Sequence, residues 1–208
     1  TEFTITGQAN HAGTTPMDLR HDAGWAAAAI AVHVRDMATR MGGRQVATVG
    51  RLDLAPDLVN VVAGSAVLTV DLRNTDEALL TEAEADLAAF VEGIAEAEGV
   101  LIEARTLARF EPVAFNGSVV ATVASTAESL GHAVSEMPSG AGHDAQMMAR
   151  ICPTGMVFVP SRDGISHNPA EYTDPVDLAA GVNVLLHTLL RLDGDALEDD
   201  APEEGETR

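Results

Sequence analysis

Residues 2 to 9 alternate apolar and polar side chains, the period of a half-buried strand. A polar loop, Asn10-His-Ala-Gly-Thr-Thr-Pro16, leads to an Ala-rich helical run expected from about Ala23 to Met41, which Gly42-Gly43 stops. Gln45 to Leu54 and Ala66 to Arg73 alternate again, with Ala55-Pro-Asp57 turning the chain after the first of them. From Asp76 to Glu98 the apolar positions Leu79, Leu80, Ala83, Leu87, Phe90, Val91 and Ile94 recur at helical spacing. Gly99 closes that helix, and Val100 to Phe110 returns to alternation. The order is strand-helix-strand-strand-helix-strand, a ferredoxin-like βαββαβ unit with two helices on one sheet face and the other face free for a partner.

Beyond Pro112 the pattern changes. A helix is expected at Ser118 to Leu130, a short strand at Ala133 to Glu136, a short helix at Asp144 to Arg150 and a strong strand at Gly155 to Pro160. The final helix has Asp174 as N-cap, Pro175 in its first turn and a stripe of Val176, Ala180, Val184, Leu185 and Leu189. One or two strands are too few for a complete parallel α/β sheet, so residues 113–192 read as half of a domain. The fold class is α+β, with a boundary at 112 and a disordered acidic tail over 193–208.

Charge narrows the partners. The 208 residues carry 12 basic side chains, all Arg, against 32 acidic ones, for a net charge of -20. Such a field argues against nucleic acid and anionic membrane surfaces. Without 193–208 there remain 24 acids and 11 bases, so the folded body is acidic in its own right, through a high-salt source or one sparing of Lys. A single Cys152, no signal-peptide pattern and no run of 18 uncharged apolar residues suggest a reduced, cytoplasmic setting without a membrane span. The chain opens in a strand pattern without Met, and a preceding segment is expected.

Three polar clusters follow expected strands, where loops carry functional groups on a rigid scaffold. Asn10 to Met17 holds His11, Ser139 to Gln146 holds Gly142 and His143, and Arg162 to Glu171 holds His167. By residue type alone, a loop histidine such as His11 is more often a turn or surface residue than a catalytic one, and Gly140-Ala-Gly-His143-Asp144 is either an anion cradle or a tight turn with a cap. His167 stands just past an expected buried strand, where open α/β sheets bind ligands, yet no His-Glu-x-x-His, Cys pair or neighbouring carboxylate pair completes a metal site. Nucleotide-binding and serine-hydrolase motifs are absent.

Taken together, Gly7-Gln-Ala-Asn-His11-Ala-Gly-Thr-Thr-Pro-Met17, Ser139-Gly-Ala-Gly-His143-Asp144-Ala145 and Gly164-Ile-Ser-His167-Asn-Pro169 resemble the hydantoinase/carbamoylase group of metal-dependent amidohydrolases. The resemblance runs to about Leu192. It implies a ferredoxin-like lid over 1–112 that dimerises, followed over 113–192 by the returning half of a zinc-exopeptidase-like catalytic domain. It further implies hydrolysis of a linear ureido or amide bond, in N-carbamoyl-L-amino acids, allantoate or related carboxylates, by two divalent ions (Zn or Mn) and a Glu-activated water. The family's other metal ligands and its general base have no counterpart here, so this chain alone is expected to be inactive.

On that resemblance His167 is a metal ligand, oriented by Glu171 or Asn168. His11 is the lid residue that enters the partner subunit's site and polarises the scissile carbonyl. Asn60 and Arg73 bind substrate, Arg73 by gripping its carboxylate, and Gly142 and His143 form the loop beside it. Without the family, Arg73 reads as a surface ion pair with Asp71 or Asp76. Arg20-His21-Asp22 departs from the group's usual two Arg before Asp, leaving His21 at a solvent-facing helix start. His33, His132 and His187 read as structural, and Trp25, Met147 and Met148 as core fillers. Rival readings are a non-catalytic dimerisation module, one chain of a split enzyme, and a ferredoxin-like ligand-binding domain with an unrelated appendage.

Overall fold

The computed structural model describes residues 1–199, with side chains to 194. The chain divides after Pro112 into two compact units.

In the first unit, β1 (Glu2–Thr6), β2 (Asn10–His11), α1 (Ala23–Met41), β3 (Val46–Ala55), β4 (Val61–Val62), β5 (Ser65–Arg73), α2 (Glu77–Glu98) and β6 (Leu101–Arg105) follow one another. The four long strands form an antiparallel sheet in the order β3-β5-β1-β6, and β2 pairs with β4 in a separate ribbon. Asp22 caps α1 by accepting the Gly24 and Trp25 amides, and Asp76 does the same for Ala78 and Leu79 of α2. Gly99 ends α2 with φ 66°, a left-handed conformation that glycine adopts without a Cβ penalty.

Alternation along the strands sends Phe3, Ile5, Ala66, Leu68 and Val70 to one face, where Ala26, Ala27, Ile30 and Val34 of α1 and Leu87 and Val91 of α2 close the core. His33 stacks on Phe90 at 4.0 Å and meets Asp86 at 3.0 Å, joining the two helices. The opposite face is polar. Glu2 lies between Arg105 at 2.8 Å and Arg51 at 3.6 Å, and Asp71 and Arg73 pair beside them. A register shift between Val49 and Arg51 interrupts the alternation of β3.

Two expectations change here. Trp25 is no core filler: it is 57% exposed on α1, one turn before the exposed Ala28 and two before Val32. Strand pairing also stops at Arg105 short of Phe110, because Arg109 turns back to bind Glu77 at 2.6 Å and Glu84 at 2.7 Å on α2. These contacts hold the Glu77 carboxyl below its ordinary range and raise Arg109 further.

The second unit contains α3 (Gly117–Ser129), α4 (Asp144–Met148), a 3-10 turn (Arg162–Gly164) and α5 (Pro175–Asp199). Asn116 caps α3 through the Val119 amide. Thr126, Val184 and Thr188 are buried, and Arg191 of α5 donates to Thr126 at 3.1 Å and Ser129 at 2.9 Å of α3.

Among the described residues of this unit there is no strand, although Ala133 to Glu136 and Gly155 to Pro160 were expected as strands. A strand exists only where a second segment completes its hydrogen bonds, and none lies alongside. The 155–160 segment instead rests on the helices: a Cβ on Gly155 would meet Val119, and one on Gly181 would meet Val159. Helix α5 keeps Val184 buried but exposes Val176, Val182, Leu185 and Leu189. Over Pro175–Gly194 it is long and apolar enough to cross a membrane by length and composition alone, with a mean hydropathy of 1.2. It also continues to Asp199, past the expected start of a disordered tail at 193, while 200–208 lie outside the described residues. Met147 and Met148 are exposed instead of core, and Cys152 is exposed.

Candidate functional site

In the first unit the β2/β4 ribbon brings His11 and Asn60 together. His11 is in register with Val61, and the Ala12 amide donates to the Asn60 carbonyl at 2.9 Å. The loop after His11 folds back on it. Thr15 donates from its hydroxyl to the His11 carbonyl at 2.7 Å, and the Gly13 amide donates to His11 Nδ1 at 3.0 Å. Arg20 reaches across the loop, donating to the Ala12 carbonyl at 2.7 Å and the Thr15 carbonyl at 3.2 Å. Asn10 accepts the His11 amide at 2.9 Å. The imidazole is thus exposed on a backbone that is internally cross-linked.

Sequence reasoning allowed His11 a place in a turn but missed the part of Arg20 in bracing it. The available signal was a lone Arg between a Thr-Thr-Pro loop and a helix cap, a place where unsatisfied carbonyls gather. His21 is less free than expected, its Nδ1 lying 3.0 Å from the Glu98 carbonyl oxygen.

Arg73 does not join this group. It ends β5, whereas Asn60 and His11 lie near the beginning of that strand, and Ser65 to Arg73 spans about 27 Å at strand rise. Its guanidinium donates to both Asp71 oxygens, at 3.0 Å from Nε and 2.7 Å from Nη2. Those hydrogen bonds hold the Asp71 carboxyl below the usual carboxylate range and raise Arg73. The guanidinium thus makes the surface ion pair with Asp71 that the residues alone suggest.

The sign follows from the lowered Asp71 value. The pair's contribution is in place above the unfolded carboxylate value of about 3.9 and is lost as pH falls through the folded one. Asp71→Asn is expected to lower the melting temperature slightly at pH 7, with the gap closing toward pH 2.5. Both side chains are about half exposed, so the effect is that of a surface pair, under about 1 kcal/mol. Melting curves of both proteins across this range check it.

In the second unit, His143 stands at the start of α4 and its Nδ1 accepts the Ala145 amide at 3.0 Å. A Cβ on Gly142 would meet nothing within 4 Å, so local packing does not demand a glycine there. His167 projects from a loop braced by Arg162, which stacks on Tyr172 at 4.2 Å, and by Ala170 donating to Asn168 at 2.9 Å. Glu171 accepts the His167 backbone amide at 2.8 Å and so orients the residue through its main chain instead of its ring. His167 has φ 54°, a left-handed conformation costly for a residue with a Cβ and sustained by these contacts. Its ring has no hydrogen bond among the described residues.

No three His, Cys, Asp or Glu side chains among the described residues cluster to hold a metal ion. His167 offers one exposed imidazole, which fits a single ligand position; a catalytic site needs at least three protein ligands. His33 and His132 remain structural in position, the first between helices and the second after α3, while His187 is exposed on α5. A shallow pocket lined by Ala114, Asn116, Cys152 and Thr154 includes none of the candidate residues.

The sequence pattern of peptidase family M20/M25/M40 matches residues 8–191. Allantoate amidohydrolase from Escherichia coli is 41% identical over 91% of this chain and 46% of its own length. N-carbamoyl-L-amino-acid amidohydrolase from Rhizobium meliloti is 40% identical over 91% of this chain and 45% of its own. Among solved structures, a hydantoinase/carbamoylase family amidase from Burkholderia vietnamiensis superposes with a TM-score of 0.88 and 40% identity, over 91% of this chain and 46% of that one. The chain thus spans about half the length of the curated relatives it matches.

Proposed function

The chain belongs to peptidase family M20/M25/M40, and from that premise we propose that it forms the lid and second catalytic half of a divalent-metal amidohydrolase acting on a linear ureido or amide bond. The observation that carries this reading is the meeting of His11 with Asn60 on one braced ribbon. The exposed imidazole of His11 offers a proton donor for a carbonyl oxygen, and Asn60, held to the same ribbon through its backbone carbonyl, offers an amide for the rest of a ureido unit. The sheet order β3-β5-β1-β6 with α1 and α2 on one face supports a ferredoxin-like lid.

The relatives' names bring N-carbamoyl-L-amino acids and allantoate forward as the substrate class. Each presents a carboxylate, which suits the two-pronged Arg73 fork. A small ureido acid is much shorter than the roughly 27 Å that separates the two ends of β5, so His11 and Arg73 of one copy serve different molecules. That supports a homodimer in which each site draws on both lids. The exposed apolar strip of Trp25 and Val32 on α1, next to the edge strand β3, supports the lid as the dimer surface.

Family M20 chemistry depends on divalent metal, and the residues described here do not fit a complete metal set. His167 supplies one imidazole, with Zn or Mn as candidates, and the remaining ligands come from a first half, on the same polypeptide or a separate chain. The exposed apolar side of α5 and the unpaired 155–160 segment support such a complement, since both are surfaces that a neighbouring layer covers.

The test is hydrolysis by the completed enzyme, this chain joined to a first half from its own gene or a relative, with Zn or Mn supplied. N-carbamoyl-L-amino acids or allantoate are expected to be turned over and dipeptides left intact. Dipeptide cleavage without ureido hydrolysis overturns the substrate class.

A further inference from the structure

We propose that the segment leaving the first unit is a strap, latched to α2 by the Arg109 guanidinium, and that ionic strength opens and closes the latch. The strap is independent of the proposed reaction and of the metal set.

Residues 106–110 follow β6 and run toward the end of the first unit at Pro112. Among the described residues no backbone hydrogen bond ties 106–110 to the rest of that unit. Apolar burial adds little, since Leu107 and Phe110 are half-exposed. What holds the segment is charge. Arg109 Nη2 meets Glu77 Oε1 at 2.6 Å, and its Nε meets Glu84 Oε1 at 2.7 Å. Nη1 donates to Glu77 Oε2 at 3.2 Å and to the Phe110 carbonyl at 3.2 Å, so the planar fork grips both carboxylates and folds the strap back on itself.

Helix α2 makes this grip count. Glu77 and Glu84 stand about two turns apart on it, and its 22 residues include no Lys or Arg. Neither carboxylate therefore has a cation on its own helix, and Arg109 is brought to them from beyond β6.

An attachment of this kind answers to salt. The three side chains are between 32% and 45% exposed, so mobile ions reach them. The Debye length falls from about 10 Å at 0.1 M to about 3 Å at 1 M. A strap held by apolar burial would not loosen in this way, because salt does not weaken such contacts. Release of the latch frees 106–109 and adds about 14 Å of reach, at 3.3–3.6 Å per residue, to the connection that enters the second unit. Dilute solution thus shortens the tether and concentrated salt lengthens it.

The experiment is limited proteolysis of the chain, as it stands, across a salt series. Trypsin cuts after Arg and needs that side chain in its own pocket, so a latched Arg109 is not a substrate. Where opening is fast relative to cleavage, the rate of the cut between Arg109 and Phe110 measures the open fraction. A peptide of residues 106–113 supplies the salt dependence of trypsin itself. Corrected for it, the cut is expected to quicken about tenfold from 0.05 M to 1 M NaCl, the worth of two exposed ion pairs. Cleavage after Arg35, inside α1, reports unfolding of the unit and should stay slow throughout.

The double variant Glu77→Gln, Glu84→Gln should be cut at 0.05 M as fast as the unaltered chain at 1 M, with little further change in salt. Arg109→Lys, a point charge in place of a fork, should fall between the two. It leaves α2 untouched and serves if the double variant loses helix content by circular dichroism. A rate in the unaltered chain that ignores salt, a double variant cut as slowly as that chain, or cuts after Arg35 that rise in step with those after Arg109 would each overturn the strap.

Discussion

Purified as it stands, the chain is expected to release no product from N-carbamoyl-L-amino acids or allantoate, with or without added Zn or Mn, and to gain turnover only when a first catalytic half is supplied. The described residues offer one exposed imidazole, His167, and no cluster of three ligating side chains. One neutral imidazole does not retain a catalytic ion against water and buffer, because three or four ligands must act together to hold it. Glu171, the carboxylate that reaches His167, is engaged with its backbone amide. Ordinary enzymes turn over at about 1 to 10³ per second, so completion takes the rate from background to a readily measured value. Metal analysis together with a product assay on the chain alone, and then on the chain with its complement, checks both parts. Stoichiometric metal and turnover by the chain alone would show a site built from residues other than those assigned.

In that completed enzyme, His11→Ala is expected to lower kcat by about 10² to 10³, the usual loss on removing one donor from an oxyanion site. KM should change much less, because the donor acts on charge that develops in the transition state. His11→Gln should recover part of the rate, since its amide nitrogen lies near the place of Nε2. The loss should not come from unfolding. His11 is exposed, and its side chain's hydrogen bond to Gly13 is local to the loop, so circular dichroism and melting temperature should move little. Steady-state kinetics on the three proteins decides the matter. A fall confined to KM would reduce His11 to a ground-state contact.

Much of the first unit was legible in the sequence because its signals are local. The helix expected at Ala23 to Met41 is the helix observed, since Asp22 caps one end and Gly42 follows the other. Asp76 and Gly99 bound α2 in the same way. The strand ending at Arg105 was misjudged because its stop is an ion pair with α2, a contact that no window along the chain contains. Trp25 reads as core from its size, since large aromatic residues bury in most proteins, and composition does not say which side of α1 faces the sheet. In the second unit the 155–160 segment has the β-rich composition of a strand, yet pairing is a property of two segments, and the second is not among the described residues.

The motif residues show the same division. The three motif runs carried the resemblance to the amidohydrolase family, because tight turns and chemistry-bearing side chains are written locally, and the resemblance in turn implied roles for His11, Asn60, Arg73, Gly142, His143 and His167. What tertiary structure decided was which of them meet. It set His11 beside Asn60 through the β2/β4 ribbon, left Arg73 at the far end of β5 against Asp71, and enlisted Arg20 to hold the His11 loop. The physical reason is that caps, turns and periodicity act over three or four residues, whereas register, hydrogen-bond partners and the occupied nitrogen of an imidazole depend on where distant backbone comes to rest.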